Sequence, residues 1–105
     1  MTPNDFKQVV EGQLGICKST LTQRAKRYSD SSDRLHNFKQ AAYLNVVLPE
    51  QSLWGMVTKQ IVALSDELRK AECREDINVL DSMEYITDII NYMLLLRALI
   101  SEAHE

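Results

Sequence analysis

Punctuation is scarce in this sequence. Three glycines and two prolines in 105 residues include no Gly-x-Gly-x-x-Gly and no Walker-type loop, so backbone N–H groups of a glycine-rich turn are not on offer to a phosphate. Any phosphate contact must come from side chains and metal. The only cysteines, Cys17 and Cys73, lie far apart without Cys-x-x-Cys or a histidine at ligand spacing, which excludes a recognisable zinc or redox motif and leaves buried or idle thiols. A long apolar run is missing too, because Asp88, Asn91 and Arg97 interrupt the one candidate, and the N-terminus carries no apolar signal segment. A soluble, cytoplasmic protein with no membrane partner is expected. There is no basic excess: the net charge is −3 and the pI about 5.4, so direct nucleic-acid binding is not expected. His36 and His104 have no serine or cysteine arrangement near them in sequence, and a nucleophilic triad finds no support.

What is present is helical periodicity. With 45% hydrophobic residues the chain suits one domain, residues 1–105. From Pro3 to Tyr28 the positions Phe6, Val10, Leu14, Cys17, Leu21 and Tyr28 mark one helical stripe, broken only at Arg24. Thr2 or Asn4 is expected to cap this helix, and Lys18, Arg24, Lys26 and Arg27 suit the negative end of its dipole, or else a local patch for phosphate or nucleic acid. The small polar residues Ser29 to Asp33 should end it and start a second helix, Asp33 to Leu44, with Leu35 and Phe38 inward and Arg34 and Asn37 together on one face. After a turn at Asn45 to Val47, Pro49 and Glu50 mark the start of a third helix reaching Ala71. Its core stripe is Leu53, Trp54, Val57, Ile61, Leu64 and Leu68. Gly55 costs a helix about 1 kcal/mol relative to alanine, which predicts a closely packed neighbour there. Lys59 and Asp66 share another face, either solvated or turned inward beside Val62 and Ala63.

The fourth helix, capped by Asp76, Asp81 or Ser82 and running to Ala103, is apolar almost all round yet contains Glu84, Asp88 and Asn91 on one narrow stripe. A buried carboxylate is costly unless it is paired, hydrogen-bonded or bound to a cation, so this stripe is the candidate site. Four helices and no strand signal predict an all-α, four-helix bundle-like domain. The fourth helix shows more apolar surface than one such domain covers, which predicts a homo-oligomer, a dimer or a tetramer.

Three ordered segments carry a family resemblance. Asp33-Arg34-Leu35-His36-Asn37-Phe38, then Trp54-Gly55-Met56 with Lys59, then Asp88-Ile89-Ile90-Asn91-Tyr92 resemble the phage nucleotide-modification-associated domain, formerly a family of unknown function, over residues 28–100. The resemblance implies a helical protein of phage or prophage origin, tied to nucleotide metabolism or DNA-base modification. Where that family carries a histidine after the central lysine, this sequence has Gln60, which keeps a hydrogen bond but not proton transfer. A broader likeness is to MazG-like all-α nucleoside triphosphate pyrophosphohydrolases, whose Glu-x-x-Glu and Glu-x-x-Asp helices hold magnesium. Here Asp66 and Glu67 precede Glu84 and Asp88, and neither motif is intact.

The nucleotide reading assigns magnesium to Asp66, Glu84 and Asp88. Phosphate oxygens go to Arg34 and Lys59, and positioning to Asn37, Gln60 and Asn91. A base would rest against Phe38, Trp54 or Tyr92. Catalysis, if present, would be magnesium-dependent phosphohydrolysis. The competing reading is a non-enzymatic binding or assembly protein, in which Arg34 pairs with Asp88 or Glu84, Asn37 bonds to Asn91, and the cluster fixes helix register.

Overall fold

A computed structural model describes residues 1–27 and 32–104. Among these the protein is all-helical, in the order α1 (Pro3–Arg27), α2 (His36–Asn45), α3 (Pro49–Glu72) and α4 (Val79–Ala103). Among the described residues no helix is long and apolar enough to cross a membrane. The expected last residue of the first helix, Tyr28, and Ser29 to Ser31 of the expected turn lie outside the described residues.

Local chemistry explains each start. Thr2 Oγ1 accepts from the Asp5 N–H at 3.1 Å while the Thr2 N–H donates to Asp5 Oδ2 at 3.0 Å, two otherwise orphaned donors satisfied reciprocally. The second helix begins later than its sequence suggests. Asp33 Oδ1 accepts the Leu35 N–H at 3.0 Å and its carbonyl accepts from His36 at 3.1 Å, so Asp33 closes a turn ahead of the helix and delays it to His36. Ahead of α3, Gln51 returns to the Leu48 N–H at 2.9 Å, and Pro49 fills the first turn, where a missing N–H costs nothing. None of the three expected caps serves α4. The cap is Asn78, whose Oδ1 accepts from the Asp81 N–H at 3.0 Å, while Ser82 is buried and donates to the Asn78 carbonyl at 2.8 Å.

The core lies where α2, α3 and α4 meet. Leu35, Phe38, Leu53 and Leu99 are buried there, with Met56, Tyr92, Leu95 and Leu96 packed around them. Val57 of α3 and Ala42 of α2 are buried as well. By contrast, among the described residues α1 packs against α4 alone, with Cys17 as its one buried residue. Two sequence expectations fail here, and one open alternative is decided. Trp54 lies outside the core at 54% exposed, joined at the surface by Ile61 and Leu68. Gly55 has open space where a side chain would begin, so no neighbouring backbone among the described residues approaches it. Lys59 and Asp66 are both exposed, as a solvated face requires.

The α3–α4 connection is held by one carboxylate. Glu67 accepts from Lys70 at 2.7 Å and from the Asn78 N–H at 2.9 Å, tying the last turns of α3 to the cap of α4. The Lys70 ammonium, and then that N–H, hold the Glu67 carboxyl below its ordinary 4.5. Asp33 is held below 3.8 by Lys39 and the Leu35 N–H. Lys39, bonded to Asp33 and Glu102, and Lys70, bonded to Glu67, are raised above 10.5. A lowered carboxyl binds its proton more weakly in the folded chain, so its contribution is complete above the ordinary value and is lost as pH falls through the folded one. For the raised lysines the contribution is complete below 10.5 and is lost at higher pH. Urea midpoints across a pH series should decline below 4.5, and Glu67→Gln should remove part of that acid-side decline. A midpoint that rises on acidification would contradict this linkage.

Candidate functional site

The polar stripe of α4 divides on folding. Thr87, Asp88 and Asn91 are buried and Glu84 is exposed. The partners of Thr87 and Asp88 come from α1, an element that sequence reasoning did not nominate for this role. Arg24 Nη2 lies 2.9 Å from Asp88 Oδ1, and Gln13 Nε2 donates to Thr87 Oγ1 at 2.9 Å. The Thr87 hydroxyl donates in turn to the Met83 carbonyl at 3.1 Å. Gln13 also lies 3.3 Å from Cys17 Sγ. Contacts eleven residues apart on α1 thus converge on neighbouring residues of α4. Arg24, the single break in the apolar stripe of α1, is the counter-charge that offsets the desolvation of Asp88.

Asn91 is different. It is 2% exposed, and neither its amide nitrogen nor its oxygen has a hydrogen-bond partner among the described residues. The expected bond from Asn37 is therefore not made.

All four helices border one partly enclosed cavity of about 170 Å³, lined by Arg24, Arg34, Asn37, Phe38, Met56, Tyr92 and Leu95. Two guanidinium side chains and one amide meet an apolar wall there. Arg34 stands in the turn closed by Asp33, Asn37 and Phe38 follow on the first turn of α2, and Tyr92 and Leu95 are one helical turn apart on α4. Of the eight residues assigned to a nucleotide from sequence, the cavity gathers Arg34, Asn37, Phe38 and Tyr92. Lys59 lines a separate cleft of about 300 Å³ with Asn45, Gln51 and Gly55. Trp54, Gln60 and Asn91 line neither. Sequence reasoning missed Arg24, Met56 and Leu95 as wall residues. The signal for Arg24 was present: an arginine at a stripe position has to face something.

The magnesium set does not come together within one chain. Asp66 and Glu84 are exposed on different helices, while Asp88 is buried against a guanidinium. Among the described residues no three acidic, histidine or cysteine side chains form a metal-binding group. Glu84 and Asp88 do share the rim of a cleft of about 260 Å³ with Ile16, Thr20, Arg24, Met83 and Thr87, where the nearest fixed charge to Asp88 is the arginine.

Comparison with protein-family models, with curated proteins and with solved structures gives no match to this chain.

Proposed function

We propose that the protein binds a small phosphorylated ligand, a nucleotide in the class suggested by the sequence resemblance, with its anionic group in the four-helix cavity. The observation that supports this is the meeting of Arg24, Arg34 and Asn37 with Phe38 and Tyr92 around one space. Guanidinium groups match phosphate oxygens in charge and in fork geometry. Size narrows the ligand's placement. Drug-sized and nucleotide-sized ligands occupy roughly 300–1,000 Å³, so about 170 Å³ admits a phosphoryl group or one small ring, and the rest of the ligand lies outside. The proposal is for binding, and it assigns no residue to bond cleavage.

Thermal unfolding against a panel of nucleoside mono-, di- and triphosphates, with inorganic phosphate alongside, tests it. Ligand at about ten times its Kd should stabilise by roughly 1.4 kcal/mol, and Arg34→Ala should lose that shift. Absence of any shift across the panel would sink the reading.

A second reading, a non-enzymatic helical assembly protein whose polar cluster is structural, is favoured by a different observation. The Arg24–Asp88 and Gln13–Thr87 contacts both join α1 to α4, as register-fixing contacts do. On that reading Arg34→Ala changes no ligand response, because there is none.

A further inference from the structure

The chain is too open for its mass. At 12.1 kDa a compact monomer exposes about 6,000 Å², whereas this one exposes 7947 Å². Its radius of gyration is 16.2 Å, against about 13 Å for a compact domain of this length. The surplus of about 1,900 Å² is more than twice the roughly 800 Å² that each partner buries in a standard interface, and it lies in the range of a permanent homodimer.

The sequence pattern and the burial together show where part of the surplus sits. Viewed down the axis of α1, Phe6, Val10, Leu14, Cys17 and Arg24 all fall within one quarter of the helix circumference, because their spacings of three, four and seven keep step with the helical turn. These residues form one stripe. Its C-terminal half meets α4 through Cys17 and Arg24, with Gln13 beside them. Its N-terminal half, Phe6, Val10 and Leu14, has the same helical spacing and is exposed, and Val9 on its flank is exposed as well. An apolar stripe of this kind lowers solubility unless something covers it.

We infer that the N-terminal half of α1 is a homodimer interface, in which Phe6, Val10 and Leu14 pack antiparallel against the same residues of a second copy across a two-fold axis near Val10. Self-pairing follows from the shape of the stripe, since an isologous contact needs one surface complementary to itself. An axis at Val10 brings Phe6 of one chain to Leu14 of the other, filling the seam. The charges agree with that register. Lys7 and Glu11, four residues apart, lie together on one flank of the stripe, and an axis at Val10 brings each lysine to within two residues, about 3 Å along the helix axis, of the other chain's glutamate, twice. The pairing leaves Gln13, Cys17 and Arg24 on α4. It is independent of the ligand reading.

A second exposed apolar patch, Tyr43, Leu44, Val46 and Leu48 at the α2–α3 corner, supplies the control. Sedimentation equilibrium should give twice the chain mass for the wild type and for Tyr43→Lys/Leu44→Lys, and one chain mass for Phe6→Lys/Val10→Lys. Because Phe6 and Val10 are exposed within the chain, the latter variant should keep the helical circular dichroism of the parent. In a Cys73→Ser background, which removes the exposed thiol, Val10→Cys should oxidise to a disulfide-linked dimer at micromolar protein. A monomeric wild type, an assembly whose mass survives Phe6→Lys/Val10→Lys, or dissociation caused by the corner substitutions would each overturn the assignment.

Discussion

Arg24→Met should destabilise the protein by about 2–3 kcal/mol, Asp88→Leu by clearly less, and the double variant should return close to wild type. The asymmetry follows from where the two charges sit. The Asp88 side chain is 10% exposed, whereas that of Arg24 is 38% exposed. Remove the carboxylate, and the arginine swings a short way to water with its stem still covering apolar surface. Remove the arginine, and the carboxylate stays where water reaches it poorly, with no other cation bonded to it among the described residues. Breaking a fully buried pair from one side costs roughly 3–5 kcal/mol, and the partial exposure of Arg24 argues for the lower figure given first. A urea-unfolding double-mutant cycle supplies the coupling directly. Equal losses for the two single variants would show that the pair is screened and contributes little. Position separates the two as well: Arg24 also lines the cavity and Asp88 does not. Arg24→Met should therefore weaken any phosphate-dependent thermal shift, and Asp88→Leu should leave most of it.

The helices were legible because their periodicities are long and uninterrupted. The first, third and fourth start or end within a residue or two of where the apolar spacing and Pro3, Pro49 and Ala103 put them. Caps were less legible. Four small polar residues between Asp76 and Ser82 compete to start α4, and the winner, Asn78, is the one whose own N–H reaches Glu67 on the preceding helix, a tertiary fact with no local signature. The α4 stripe was read correctly as polar groups in an apolar helix, but its three members do not share one fate: Glu84 is exposed where Asp88 and Asn91 are buried. Nor did spacing reveal which helix answers it. Arg34, Asn37, Lys59 and Asp66 were reasonable partners on charge alone, yet Arg24 holds Asp88, because α1 is the helix that crosses that part of α4. An arginine in place of an apolar residue at a stripe position is the one sequence mark that pointed there.

Asn91→Leu should raise stability by about 1–3 kcal/mol, which in a domain of this size corresponds to several degrees in Tm. Both ends of the Asn91 amide are buried without a partner among the described residues, so the folded chain bears the desolvation of a donor and an acceptor with no bond in return. Leucine keeps the branch at Cγ, removes both polar groups and is the better helix former by a few tenths of a kcal/mol. Its larger volume works against this, since overpacking a tight site costs about 1–3 kcal/mol. Asn91→Ala separates the two terms, because it deletes the polar atoms without adding bulk. If both variants are at least as stable as the parent, the orphaned amide is a net cost to the fold. If both lose more than about 1 kcal/mol at concentrations where the protein is assembled, the amide has found a partner outside the single chain. Repeating the measurement with Phe6→Lys/Val10→Lys then tells the sources apart: a loss that disappears in the monomeric background assigns that partner to the second copy, and one that persists assigns the loss to each chain by itself, through a ligand, a buried water or the packing changed by the substitution.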